Sequence, residues 1–389
     1  MLISGGNTYG SDTVSGEAGS FSLFPAPPTD WTSIDSAHDA QFKIHVIDNT
    51  TRQLSATITA ISTGKQLASA TLDQSGTGKI VFSDQSQSNV LSWVIADAPA
   101  NESGPVTLNQ RGLTGTWYNA ATGGQGIVME VIPDLVSAGQ GILFGGWFTF
   151  ATAPGGGADK QRWYTLQGQV SSSPSATLGI YTATGGNFNA APKIAASAVG
   201  QATISFSDCS HGTLSYTFSD GTGRSGNIPL SRLDTNASCS PSGDNGIKTG
   251  DSLLSGAWYD PNTSGQGFVF NVVPGLKTVF AGWYTYAPNG QQVGGGASQR
   301  WYTLQTPMPA TGSTLAALTL GSVPIYTATG GVFDNPTKAI NNQVGTATLA
   351  FTSCNALKLT YNFSSGSSSG QIGTINLQRV GPTPAGCKF

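Results

Sequence analysis

The string GGGADKQRWYTLQ at Gly155–Gln167 returns at Gly294–Gln305 as GGGASQRWYTLQ, one residue shorter. So long a match between distant parts of one chain indicates an internal duplication. Further landmarks recur in the same order in both copies: GTWYN and GAWYD, GGQGIVMEV and SGQGFVFNV, GGWFTF and AGWYTY, IYTATGGNF and IYTATGGVF, VGQATISFSDC and VGTATLAFTSC, LSYTF and LTYNF, NIPLSRL and TINLQRV. The duplication predicts two homologous domains, residues 113–240 and 253–389.

The fold class follows from the short apolar runs within each copy. Each copy contains eight strand-like runs with short connections and no helical periodicity. Consecutive strands with short turns pair as antiparallel neighbours, which predicts an up-and-down meander. Eight such strands can close into a barrel, and closure removes the exposed edge strands. We therefore expect an all-β protein with two eight-stranded barrels, and two β-sandwiches are the alternative.

The first 110 residues have no counterpart in the repeats. Residues 20–110 contain about seven short alternating runs separated by turn signals, a pattern typical of an immunoglobulin-like β-sandwich. Residues 1–19 are rich in Gly and Ser, so we expect a flexible arm or one that becomes ordered on a partner. Self-assembly through this arm is one hypothesis for its role.

The composition excludes some classes of function. The chain has 389 residues, of which 10% are charged, and a formal net charge of −3. Its 17 Lys and Arg residues are scattered and form no basic stripe, so we expect no nucleic-acid partner. No apolar run reaches the roughly 18 residues that a membrane-spanning helix needs. Low charge with many Gly, Thr and Ser residues is typical of an extracellular all-β protein.

The four cysteines fall two in each repeat, and the N-terminal third has none. Cys209 and Cys354 occupy the same repeat position, and Cys239 and Cys387 each follow the last strand-like run. This arrangement predicts two disulfides, Cys209–Cys239 and Cys354–Cys387, and with them an oxidising compartment outside the cytoplasm. The alternatives are free thiols or a four-thiolate metal site, although no CxxC spacing supports a metal.

The repeat as a whole resembles a module of secreted bacterial proteins of unassigned function, with the form GxWY, GQGF, GGWxTY, RWYTLQG, IYxxTGGxF and a terminal LxR. The resemblance implies an exported bacterial protein and implies no mechanism. Each repeat also resembles the calycins, the avidin and lipocalin group, in which a first-strand Gly-x-Trp packs under a basic residue from the last strand. That resemblance implies barrel closure by pairing Trp117 with Arg232 and Trp258 with Arg379.

Catalysis by both repeats would require acids and bases that recur, and none does. No Asp or Glu is shared at an equivalent position, and His211 has no counterpart in the second repeat. The chain also lacks the HExxH and EF-hand motifs, and we expect no nucleophile elbow of the GxSxG type. We therefore expect no enzymatic activity, no cofactor and no metal. A hydrolase remains as a further alternative.

The residues that do recur are aromatic, amide and guanidinium side chains. Flat aromatic surface beside amide hydrogen-bonding groups suits sugars and other polar ligands. The candidate ligand-binding residues are Trp147, Arg162, Trp163, Gln167, Tyr181, Trp283, Arg300, Trp301, Gln305 and Tyr326. The other interpretation is packing, with one strand face filling a core and the other contacting a neighbouring domain.

Two functional hypotheses follow. The first is a secreted or surface-displayed, adhesin-like protein that binds glycans or a related small polar ligand. The second is a structural subunit of an extracellular filament or surface layer. The low charge and the N-terminal arm motivate this hypothesis.

Overall fold

The computed structural model describes residues 7–9, 12–14, 30–35, 40–48, 53–60, 62–64, 66–72, 75–82, 88–94, 106–233, 239, 253–273, 278–308, 318–337 and 339–387. The chain divides into two units, Met1–Ala100 and Asn101–Phe389. Both repeats therefore lie in one compact unit.

The N-terminal unit contains a six-stranded antiparallel sheet in which the strands follow sequence order. Its strands are β3 (Asp30–Asp35), β4 (Ala40–Asp48), β5 (Gln53–Ala60), β6 (Gln66–Leu72), β7 (Ser75–Phe82) and β8 (Ser88–Val94). An immunoglobulin-like sandwich has two sheets joined by Greek-key connections. The sequential order within one sheet differs from that arrangement, so the immunoglobulin-like prediction is not confirmed by the described residues.

Part of the predicted N-terminal arm is paired with itself. Strand β1 (Asn7–Tyr9) runs antiparallel to β2 (Asp12–Val14), with Thr8 opposite Thr13. The other residues of positions 1–19 lie outside the described ranges, so the role of the arm stays a prediction.

The first repeat forms a closed barrel of eight antiparallel strands, each paired with its neighbour in sequence. The strands are β9 (Gly115–Tyr118), β10 (Gly126–Ser137), β11 (Gln140–Phe150), β12 (Gln161–Ser171), β13 (Ser175–Thr182), β14 (Ser197–Phe206), β15 (His211–Phe218) and β16 (Ser225–Arg232). The pairing of Arg232 with Trp117 joins the last strand to the first.

The second repeat forms a barrel with the same strand order. Its strands are β17 (Gly256–Tyr259), β18 (Gly267–Val273), β19 (Thr278–Tyr286), β20 (Gln299–Pro307), β21 (Thr319–Thr329), β22 (Ile340–Ser353), β23 (Ala356–Phe363) and β24 (Ile372–Arg379). Arg379 pairs with Trp258 and closes this barrel. The prediction of two eight-stranded barrels is confirmed, and the sandwich alternative for the repeats is wrong.

Each barrel is sealed at one end by the arginine of its last strand. The guanidinium carbon of Arg232 lies 5.3 Å from the ring centroid of Trp117, and that of Arg379 lies 4.6 Å from Trp258. Arg379 also donates hydrogen bonds to the carbonyls of Leu253, Ser255 and Cys354. These bonds connect the last strand to the segment before the first strand and to the cysteine-bearing turn.

The predicted disulfides are both present. Cys209 bonds to Cys239 across 30 residues of sequence, and Cys354 bonds to Cys387 across 33. In the loop-entropy description, closing a loop of this size stabilises the folded state by about 3–4 kcal/mol. Each disulfide lies within one repeat, so no covalent bond other than the main chain joins the two barrels.

The strand surfaces fill three separate clusters of buried side chains. One cluster occupies each barrel interior, and the third lies between the barrels. Strand β11 shows the division, because it is buried on both faces from Gly145 to Phe150. Trp147 points into the first barrel, whereas Phe148 and Phe150 belong to the inter-barrel cluster. Side chains alternate along a strand, so a strand with two buried faces must contact two different bodies.

Candidate functional site

The inter-barrel contact is built reciprocally from the duplicated QRW motif. Trp163 donates its indole N–H to the carbonyl of Thr285 at 3.0 Å, and Trp301 donates to the carbonyl of Thr149 at 2.9 Å. The two barrels are therefore related by a pseudo-twofold arrangement in which equivalent residues exchange equivalent bonds.

The glutamine before each of these tryptophans repeats the pattern. The Gln161 amide nitrogen donates to the carbonyl of Trp301 at 2.9 Å, and that of Gln299 donates to the carbonyl of Trp163 at 3.0 Å. Both glutamines are buried and bonded across the interface, so neither is available to a ligand.

The loop of each repeat that contains TATGG inserts a phenylalanine into the other repeat's barrel. Phe333, from the second repeat, lies 5.5 Å from Trp147 and 5.6 Å from Tyr216 between ring centroids. Phe188, from the first repeat, lies 5.5 Å from Trp283 and 5.6 Å from Tyr361. We call Phe188 and Phe333 the plug residues, because each fills a barrel interior that its own repeat does not form.

The glutamine of each GQG motif holds a plug in place. Gln125 accepts hydrogen bonds from the Thr149 hydroxyl at 2.6 Å and the Asp334 amide at 3.1 Å, and donates to the Val332 carbonyl at 3.0 Å. Gln266 makes the equivalent bonds to Thr285, Asn189 and Asn187. One amide group thus fixes the backbone on both sides of each plug.

Eight of the ten predicted ligand residues are divided among the barrel interiors, the inter-barrel cluster and the accessible strand surfaces. Trp147 and Trp283 lie inside the barrels, and Trp163 and Trp301 lie in the inter-barrel cluster. Gln167 and Gln305 are exposed, and Tyr181 and Tyr326 are half-buried. Ligand binding by these residues remains a prediction, but the four tryptophans are at most 2% exposed.

The remaining two candidates, Arg162 and Arg300, lie at the starts of strands β12 and β20. Each donates hydrogen bonds to two carbonyls of its own preceding segment, those of Asp159 and Gln161 for Arg162 and of Ala297 and Gln299 for Arg300. Burial lowers the pKa of both guanidinium groups, and the carboxylate of Asp159 acts in the opposite direction. Their bonds to carbonyls indicate that they stabilise these segments.

A cleft of about 670 Å³ remains open beside the inter-barrel cluster. The first repeat contributes Trp163, Gln167 and Tyr181, and the second contributes Tyr259 and the Ser264–Phe268 segment. A third wall, residues 194–196, belongs to the loop that contains plug Phe188. Three of the ten predicted ligand residues therefore share one cleft.

Tyr181 provides a flat aromatic surface within this cleft. A β-carbon at Gly179 would lie 2.6 Å from the Tyr181 ring, so the ring can lie across the strand only because residue 179 is glycine. Gln167 is the strand partner of Gly179, which brings its amide beside the ring. The second repeat has Pro324 at the position of Gly179, so Tyr326 has no glycine across which its ring could lie.

The buried carboxylate of Glu130 was not predicted from the sequence. It accepts a hydrogen bond from the Ala257 amide at 2.8 Å and lies 3.4 Å from both Arg111 and Arg379. Burial lowers the pKa of Arg379 to about 10, and Glu130 opposes that shift. The group is 1% exposed and fully paired, which is typical of a structural ion pair.

The described titratable groups also include an exposed pair of a histidine and a carboxylate. His211 lies 3.0 Å from the carboxylate of Asp208 in an exposed pair on one turn. Among the described residues, no group of three or more His, Cys, Asp or Glu side chains could hold a metal ion. In the same ranges, no helix is long and apolar enough to cross a membrane.

Comparisons with known proteins identify no family. No family model matches the chain, and no curated protein matches it. Among solved structures, a tryptophan-to-alanine mutant of the vaccine antigen Transferrin Binding Protein B from Haemophilus parasuis Hp5 aligns with 9% identity and a TM-score of 0.18. The alignment covers 87% of this chain and 66% of that chain, so this chain spans slightly less than two thirds of its length. A TM-score of 0.18 does not indicate a shared fold.

Proposed function

We propose that this protein is an exported, non-enzymatic binding protein that holds a glycan or a related polar ligand in the cleft between its barrels. The observation that carries the proposal is the Tyr181 ring, which lies across Gly179 with the exposed Gln167 amide beside it. An aromatic face with adjacent amide groups binds the apolar face and the hydroxyls of a sugar together. The two disulfides support export to an oxidising compartment.

The rest of the inter-barrel contact supports the proposal by holding the cleft rigid. Its walls come from both barrels, and the buried Trp and Gln bonds fix those walls relative to each other. A preformed site avoids the cost of ordering its side chains when the ligand binds. Cleft walls in fixed positions are therefore suited to specific recognition of a small ligand.

The test is a glycan array followed by titration calorimetry on the full chain. We expect Tyr181→Ala and Gln167→Ala each to weaken binding about tenfold, a loss of about 1.4 kcal/mol. Gln343→Ala is the matched control, because Gln343 is exposed on the second barrel and does not line the cleft. A ligand that binds all three variants equally, or an array without any binder, contradicts the proposal.

Trp163→Ala and Trp301→Ala are unsuitable as binding tests. Each removes an indole that donates across the interface and is 2% exposed, so a loss of binding would report unfolding. Sizing and electron microscopy of the same preparation test the alternative hypothesis. Filaments or sheets that persist when the cleft variants are used would favour an assembly subunit.

A further inference from the structure

The described part of the cleft lining has no charged side chain, and this absence limits what the cleft can bind. None of the described residues that line it is Asp, Glu, Lys, Arg or His. Lys193 and Asp260 are adjacent in sequence to lining residues but are not part of the lining. A carboxylate or phosphate transferred from water into such a site would lose its hydration without gaining a counter-ion, which is strongly unfavourable.

The polar groups in the cleft argue against a purely apolar ligand. No hydrogen bond to the described protein engages the side chains of Thr165, Gln167 or Ser264 in the structure, and the Tyr181 and Tyr259 hydroxyls are likewise unengaged. A hydrocarbon chain would remove these groups from water without replacing the lost hydrogen bonds. The occupant therefore needs several uncharged donors and acceptors together with an apolar face.

We infer that the ligand is a neutral oligosaccharide whose sugar ring stacks on Tyr181 while its hydroxyls bond to Gln167 and to the opposite wall at Ser264. This inference rests on the proposed function and specifies its ligand class. Neutral sugars combine an apolar C–H face with hydroxyls that both donate and accept. A cavity of about 670 Å³ lies in the range that holds a drug-sized ligand, or about two or three hexose units.

The experiment compares neutral and acidic oligosaccharides of equal length on the full chain. The neutral probes are gluco-, galacto- and manno-configured trisaccharides, and the acidic probe is a trigalacturonate. We expect at least one neutral trisaccharide to bind about tenfold more tightly than the trigalacturonate, with little dependence on salt, because no ion pair forms. We expect Tyr181→Phe to retain this binding and Tyr181→Ala to lose about tenfold, because stacking needs the ring.

Gln167→Lys gives a second test with a gain of binding as its result. Gln167 is exposed, so a lysine there is tolerated by the fold and places one cation beside the Tyr181 ring. We expect this variant to bind the trigalacturonate about tenfold more tightly than the unmodified protein, with a salt dependence that the unmodified protein lacks. A Gln343→Lys variant adds the same charge outside the cleft and should leave both affinities unchanged.

The outcomes separate the ligand class from the site. If the trigalacturonate binds as tightly as the neutral sugars and Tyr181→Ala weakens it, the neutral class is overturned and the proposed function survives. If binding of every probe is indifferent to Tyr181→Ala, the cleft is not the site and both proposals fail. Preferential binding of a fatty acid or a neutral peptide that Tyr181→Ala weakens overturns the saccharide class only.

Discussion

At the residue scale, the recurring glutamines and glycines are explained by the reciprocal plugs. Gln125 and Gln266 each bond to backbone on both sides of a plug residue, and to a threonine of their own barrel. An amide side chain that both donates and accepts can do this, whereas a carboxylate or an ammonium group cannot. The recurrence of GQG therefore reflects a requirement for donor and acceptor in one short side chain.

The second glycine of each TATGG string permits close approach of the two repeats. A β-carbon at Gly331 would lie 2.2 Å from the ring of Phe150, which is fully buried. We expect Gly331→Ala to lower the free energy of unfolding by about 1–3 kcal/mol through overpacking. Gly321→Ala is the control, because nothing lies within 4 Å of its added carbon. Equal urea midpoints for the two variants would contradict this explanation.

Glu130 provides the second prediction at this scale. Glu130→Gln keeps the shape of the side chain but removes the carboxylate beside Arg379, whose side chain is fully buried. We expect a loss of about 3 kcal/mol in the free energy of unfolding, because an unpaired buried cation remains. The bonds from Arg379 to three carbonyls keep the loss at the lower end of the usual range. Asp134→Asn, an exposed carboxylate on the same strand, should change stability by far less.

At the element scale, a loop of one repeat completes the core of the other. Phe188 packs on Trp283, Tyr361 and Phe363, which all belong to the second barrel. The barrels therefore share their stability although each has a complete set of strands. The loop with Phe188 also contributes residues 194–196 to the cleft, so closure of the second barrel and the shape of the cleft depend on one segment.

Truncation of a plug residue in one repeat should therefore destabilise the barrel of the other repeat. We expect Phe188→Ala to cost about 3 kcal/mol and to raise hydrogen exchange mainly in strands β17–β24. Phe333→Ala should act in the same way on β9–β16. Phe206→Ala is the comparison, because Phe206 packs on Trp117 within its own barrel and should affect only β9–β16. Faster hydrogen exchange confined to the mutated repeat would contradict the insertion of each plug residue into the other repeat's barrel.

At the scale of the whole molecule, the two barrels form one body held by noncovalent contacts. Each disulfide lies within its own repeat. A protease site inserted between Cys239 and Leu253 would therefore cut the last covalent connection between the barrels. We expect the two fragments to elute together in size-exclusion chromatography and to separate only in denaturant. Fragments that elute separately in native buffer would show that the interface is too weak to act as a rigid frame.

The buried tyrosines predict sensitivity to alkaline pH. Burial raises the pKa of Tyr284, Tyr286 and Tyr302 above the usual value of 10.0. Above pH 10 these tyrosines ionise in the unfolded chain but stay protonated in the folded one. The folded state then binds more protons, so stability falls as pH rises, by about 1.4 kcal/mol per pH unit for each group.

The pKa shift of Arg379 has the opposite effect on stability over the same pH range. Its folded pKa of about 10 lies below its usual value of 12.5, so its contribution improves as pH rises. The raised pKa values of three tyrosines outweigh the lowered pKa of one arginine, so we expect a net loss of stability above pH 10. Unfolding midpoints measured across this range, with tyrosinate absorbance recorded in parallel, would test it. A midpoint that is constant or rises up to pH 11 would contradict the burial of these tyrosines.

Much of the fold could be predicted because it is encoded in local patterns. The eight strand-like runs of each repeat correspond to the eight barrel strands, and the cysteine positions indicated both disulfides. Successive side chains of a strand point to opposite faces, and Trp163 accordingly lies in the inter-barrel cluster whereas Tyr164 lies in the first barrel. The N-terminal prediction relied on the same kind of pattern, but strand spacing does not specify sheet order.

The duplicated sequence by itself determined eight antiparallel strands and one disulfide in each repeat, since strand periodicity, turn length and cysteine spacing are local properties. It left open whether the strands close into barrels or form sandwiches. Only the tertiary structure decided which strand face is interior, and so placed Trp147 in a core and Trp163 between the barrels. It also decided that Phe188 and Phe333 each fill the other repeat's barrel and that Tyr181 and Gln167 meet at one cleft. Identical motifs contain no information about which copy they contact, because that choice depends on how two curved surfaces fit together.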